Sequence, residues 1–111
     1  MTPSRAQLFH VALPEDLADA ERTGRYRMST RGLTLEQVGF VHLAYEHQCR
    51  GVLERYYSDR PDAVVLVLDP ERLESDVRDE PPAQGGEAFP HLYGELPLDA
   101  VLARVGSGAS G

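Results

Sequence analysis

The chain has 111 residues, 41% of them apolar, with 11 basic side chains against 18 acidic ones and a formal net charge of −7. This length suits one domain with its own core. Every basic residue is Arg, and Lys, Asn, Ile and Trp are absent, which excludes a Schiff-base lysine, a Walker-type phosphate lysine and N-glycosylation.

One Cys, Cys49, excludes an internal disulfide and a Cys-based zinc centre. Met1 to Ala12 has no long apolar core behind a basic head, and no run approaches the ~20 apolar residues of a membrane span. A soluble, cytoplasmic protein without a membrane partner is expected. An acidic chain is a poor non-specific binder of nucleic acid, because the phosphate backbone rewards positive charge. The charge is uneven, however. Residues 22–31 carry Arg22, Arg25, Arg27 and Arg31 and no acid, leaving −11 elsewhere. A local basic segment of this kind suits a small anionic or nucleotide-like ligand better than a duplex.

Gln7 to Ala12 is a nearly continuous apolar run interrupted by His10, the pattern of a strand covered on both faces. Pro14 opens a helix with Glu15 and Asp16 in its first turn and Gly24 as its stop. Tyr26 to Ser29 reads as a short extended piece. Thr34-Leu35-Glu36-Gln37 fits a capping box and predicts one or two helical turns before Gly39. Phe40 to Leu43 reads as a very short strand. Tyr45 to Tyr57 is helical, with Cys49, Val52, Leu53 and Tyr56 on one face. Ala63 to Leu68 is continuously apolar and rich in β-branched residues, which predicts the central strand of a sheet. A helical turn at Glu71 to Leu73 and an edge strand at Asp76 to Asp79 follow, and Pro81 to Gly86 is the clearest loop. Phe89 to Gly94 receives no element. Leu98 to Val105 reads as a turn followed by a strand, and 106–111 as a flexible tail. Strict alternation of strand and helix fails after Leu68, so the class is α+β, a single domain over 1–105.

Three His residues lie in apolar sequence: His10, His42 and His91. Each needs a polar partner if buried, and three in so short a chain point to a shared site. His47, between Glu46 and Gln48, reads as exposed. Imidazoles can serve as general acids and bases, or bond a ribose or phosphate while Arg27 or Arg31 meets the charge with a guanidinium fork. No pair has a spacing such as His-x-x-x-His, and no metal is expected. Tyr93, beside Gly94, can offer one ring face for stacking. Glu87 is the nearest carboxylate upstream of His91 and Glu95 the nearest downstream; either could orient an imidazole. Cys49, on the apolar helix face, reads as an inert thiol. Glycine-rich dinucleotide and phosphate loops and the Gly-x-Ser-x-Gly elbow are all missing.

Leu8-Phe9-His10, Gly39-Phe40-Val41-His42, and Phe89-Pro90-His91-Leu92-Tyr93-Gly94 with Leu96-Pro97-Leu98-Asp99-Ala100-Val101 occur in that order. Together they resemble the small bacterial proteins of domain-of-unknown-function family 952, over about Gln7 to Val105. The resemblance implies an ADP-ribosyltransferase-like fold akin to the RNA 2′-phosphotransferases, with two small sheets forming an NAD-holding cleft and two main helices. It implies that His10 matches a first-strand His contacting the nicotinamide ribose, and that Tyr93 is a stacking residue by type. The late Glu of that fold would fall to Glu87 or Glu95. One departure is Ala44, where the family commonly carries a Ser. The expected function is an NAD-using or ADP-ribose-processing transferase-like enzyme, with His10, His42, His91 and Glu87 as catalytic candidates. A non-catalytic module for a small anion or modified nucleotide is the alternative.

Overall fold

The computed structural model describes residues 7–82 and 85–106. In chain order these form β1 (Leu8–Ala12), α1 (Pro14–Thr23), β2 (Met28–Thr30), β3 (Leu33–Thr34), α2 (Leu35–Val38), β4 (Val41–His42) and α3 (Glu46–Tyr56). Then follow β5 (Val64–Leu68), a 3-10 turn (Pro70–Arg72), β6 (Val77–Glu80), β7 (Phe89–Leu92), a second 3-10 turn (Leu98–Ala100) and β8 (Val101–Gly106). The class is α+β, built from three helices and several small antiparallel sheets.

The run predicted to be central is central: β5 lies between β1 and β8 in a three-stranded antiparallel sheet. Both faces of β1 and β5 are covered, which explains their lack of alternation. One face, with Leu8, Ala12, Leu66 and Leu68, packs on Leu17 and Ala20 of α1 and on Val41 and Leu92 of the second sheet. The other, with Val11 and Val65, packs on Cys49, Val52 and Leu53 of α3. Tyr56, expected on that same helical face, stays outside the cluster at 58% exposure.

The helix ends follow the chain chemistry. Pro14 occupies the first turn of α1 and Gly24 closes it at φ +82°. Thr34 and Gln37 form the capping box of α2. Gln48 is buried; its Oε1 accepts from the Tyr45 N–H at 2.9 Å and its Nε2 donates to the Ala88 carbonyl at 2.8 Å. One side chain thereby caps α3 and fastens the entry to β7.

The second sheet runs β4-β7-β6, with β6 on the edge as expected and β7 in the middle. Pro90 hides β7 in the sequence, since proline lacks a ladder donor. Here the Leu43 N–H donates to the Pro90 carbonyl at 2.9 Å, and the reciprocal bond is impossible. The two sheets meet where Phe9 and Ala44 exchange both backbone bonds, at 2.8 and 2.7 Å. A two-stranded β2-β3 hairpin, not anticipated from sequence, completes the fold. Gly106 belongs to β8, and the remaining expected tail, 107–111, lies outside the described residues. Among the described residues, no helix is long and apolar enough to cross a membrane.

Candidate functional site

Period-two alternation splits the second sheet into an apolar and a polar face. Val41 and Leu92 pair across β4 and β7, and both are fully buried in the core. Their neighbours His42 and His91 pair on the opposite face, joined there by Arg78, across from His91, and by Glu80, across from Phe89. That polar face looks onto a cleft of about 1010 Å³, walled also by β1, the β2-β3 hairpin and α3.

Glu80 organises the polar face. Its Oε1 lies 2.8 Å from His91 Nδ1 and also accepts from the Tyr93 hydroxyl. Those two bonds, Tyr93 first, hold the Glu80 carboxyl below its usual range. An ionised carboxylate only accepts, so Nδ1 of His91 carries a proton. Phe40 stacks on the His91 ring at 3.9 Å and 15°, fixing its plane. The His42 ring lies 5.3 Å from that of His91, and its Nδ1 is 2.9 Å from Ser29 Oγ. Burial, reinforced by the neighbouring His91 imidazole, pushes the His42 pKa down. Among the described residues, neither Nε2 has a hydrogen-bond partner within the protein. The result is a carboxylate-oriented imidazole beside a second, proton-poor imidazole, an arrangement able to move protons.

His10 stands apart from this pair, although it touches the cleft wall. It is 2% exposed, with Nδ1 donating to the His42 carbonyl at 2.6 Å and Nε2 accepting from the Tyr26 hydroxyl at 2.7 Å. Burial pushes its pKa down to about 4. Both nitrogens are committed, so His10 positions His42 instead of presenting a nitrogen to a ribose.

The remaining sequence candidates scatter. Arg31 lines the cleft, but its fork is taken by Asp59 in two bonds of 2.6 Å, and it also donates to the Tyr56 carbonyl at 2.9 Å. Arg27 is exposed and is absent from the cleft wall. Arg22 pairs with Asp19 and Arg25 with Glu95, so the basic segment does not act as one patch. Glu87 sits on the cleft rim, 2.7 Å from His47. Tyr93 stands behind the wall, its ring 4.6 Å from the Arg78 guanidinium and its hydroxyl on Glu80. Cys49 is half-buried, and burial pushes its thiol up to about 11, consistent with an inert thiol.

The sequence reading passed over Glu80, Phe40, Arg55 and Tyr56. A signal existed for Glu80. Pairing the expected 76–79 strand with Phe89 to Leu92 across the Pro-Gly loop puts Glu80 diagonal to His91 on one face. Among the described residues, no group of three or more His, Cys, Asp or Glu side chains is arranged to hold a metal.

The model of the family described as "Protein of unknown function (DUF952)" matches residues 11–104, most of the chain. This chain belongs to the DUF952 family. By structure, this DUF952 member is similar to the crystal structure of protein CC0527 from Caulobacter crescentus, at 22% identity and a TM-score of 0.76. The match covers 90% of this chain and 84% of that one, and a double methionine variant of CC0527 gives the same values. The solution structure of CC0527 matches with 23% identity and a TM-score of 0.73, covering 90% and 83%. Likeness at this identity concerns the fold alone. No curated protein matches the sequence.

Proposed function

We propose that this DUF952 member is an ADP-ribose-processing, transferase-like enzyme whose proton-transfer residue is His91. The observation that carries the reading is the Glu80–His91 pair facing the cleft, 5.3 Å from the His42 ring. On this reading the fold is a small relative of the ADP-ribosyltransferases, and NAD or another ADP-ribose derivative is the substrate. A cleft of about 1010 Å³ suits a ligand of dinucleotide size. Arg55 lines it with no ion-pair or hydrogen-bond partner among the described residues, a countercharge for phosphate. NAD would supply a glycosidic bond whose cleavage leaves positive charge on the ribose. Glu80, not Glu87 or Glu95, is the carboxylate placed to offset such charge. His91 Nε2 would take the proton of an acceptor hydroxyl, and the imidazolium so formed would stay paired to Glu80.

Ala44 favours the second reading, a non-catalytic binder of a small anion or modified nucleotide. It lies on the cleft wall and offers no hydroxyl beside the two imidazoles.

A thermal-shift titration with NAD, ADP-ribose and a 2′-phosphorylated nucleotide tests binding. Ligand at 100 times its Kd stabilises by about 2.7 kcal/mol, several degrees for a domain this small. Release of nicotinamide or turnover of ADP-ribose tests catalysis, and His91→Asn should lower it about 10²- to 10⁴-fold. A shift without turnover selects the binding module. No shift with any of the three removes both readings.

A further inference from the structure

Tyr56 lies at helical spacing with Cys49, Val52 and Leu53, yet it stays out of the core those residues join. At 58% it is the most exposed of the large hydrophobic residues, and it lines the cleft. Leu33, 44% exposed, lines the same cleft from β3. Two exposed apolar side chains on one concave surface carry a hydration cost that a flat apolar ligand would remove. We infer that Tyr56, Leu33 and Arg55 form a nucleobase subsite, the base stacking on Tyr56 and its attached phosphate meeting Arg55. This rests on the nucleotide reading of the cleft and specifies which end of it takes the base.

Three further observations support it. The backbone beneath the platform is held in place: Arg31 donates to the Tyr56 carbonyl at 2.9 Å and grips Asp59 with both ends of its fork, pinning the hairpin to the end of α3. Charge fits as well. On a chain of net −7, Arg55, which lines the same cleft, has no carboxylate on it among the described residues. The end of α3 is the negative end of its helix dipole, so phosphate attraction here comes from the Arg55 side chain and not from backbone N–H groups. Finally, the hairpin touches both groups: Ser29 of β2 bonds His42 Nδ1 at 2.9 Å, and Arg31, in the turn after β2, reaches the Tyr56 carbonyl.

The test is calorimetric titration of ADP-ribose and of ribose 5-phosphate, which lacks the base, into the wild type, Tyr56→Ala, Tyr56→Phe and Arg55→Gln. The wild type should prefer ADP-ribose. Tyr56→Ala should weaken ADP-ribose about 10- to 100-fold and leave ribose 5-phosphate unchanged, with Tyr56→Phe retaining the preference. Arg55→Gln should weaken both ligands and flatten their salt dependence. Because both side chains are exposed, the unliganded melting temperature should not move. If the wild type binds ADP-ribose and Tyr56→Ala binds it equally well, the subsite is wrong and the nucleotide reading stands. If the wild type binds neither ligand, both fall together.

Discussion

His10 and His91 are the same side chain in two sheets of one small molecule, with opposite fates. In the first sheet, His10 has spent both nitrogens inside the core, on the His42 carbonyl and the Tyr26 hydroxyl. In the second, His91 has spent only Nδ1, on Glu80, and keeps Nε2 toward the cleft. The difference teaches that an imidazole in apolar sequence becomes a strut when the core packs both sides of its strand, and keeps a nitrogen for a cleft when it sits on the polar face of a sheet. β1 is covered on both sides, whereas the second sheet buries only the Val41 and Leu92 side.

His10→Ala should break that comparison most visibly. It leaves the Tyr26 hydroxyl and the His42 carbonyl unpaired, at roughly 1–3 kcal/mol each. Chemical denaturation should show a loss of roughly 2–5 kcal/mol, while His91→Asn should lose activity far more than stability. A His10→Ala protein as stable as wild type would mean the strut does not exist.

The pH dependence sharpens the same contrast. The folded pKa of His10 is pushed from 6.5 down to about 4, so between those values the unfolded chain binds the extra proton. Stability therefore falls as pH drops from about 6.5 toward 4, by roughly 3 kcal/mol at most from this group. The lowered His42 pKa acts in the same direction. Equilibrium unfolding at several pH values should show this slope, and it should flatten in His10→Ala.

Next in size is Gly94→Ala, just beyond β7. A Cβ there would overlap Ser75 Oγ and lie 2.6 Å from Ser75 Cβ. A loss of about 1–3 kcal/mol is expected, with recovery in the Gly94→Ala, Ser75→Gly double variant. Melting of the two variants side by side checks it. The smallest effect belongs to Glu95→Ala, which removes an exposed pair with Arg25 outside both sheets. It should cost about 0.2–1 kcal/mol and leave ligand affinity unchanged by calorimetry.

Much of the fold was legible because its signals are local. Pro14 and Gly24 bracket α1, Thr34 and Gln37 cap α2, and the Val64–Leu68 run announces a strand covered on both faces. β7 was not legible, because Pro90 argues against a central strand until the short β4 ladder is seen to stop beside it. The site was half legible. His42 and His91 were recognisable as polar residues in apolar runs, but their carboxylate was sought at Glu87 or Glu95, close in sequence.

By itself the sequence determined the α+β class, most helix and strand positions, the place of Cys49 on the packed face of α3 and the family. It did so because caps, turns and hydrophobic periods act over a few residues. Only the tertiary structure decided that Glu80 orients His91, that Arg31 is tied to Asp59 while Arg55 has no such partner among the described residues, and that His10 is a strut. Each of these depends on strand register or on which face of a sheet is packed, and hydrogen bonds between residues far apart in the chain exist only once that packing is complete.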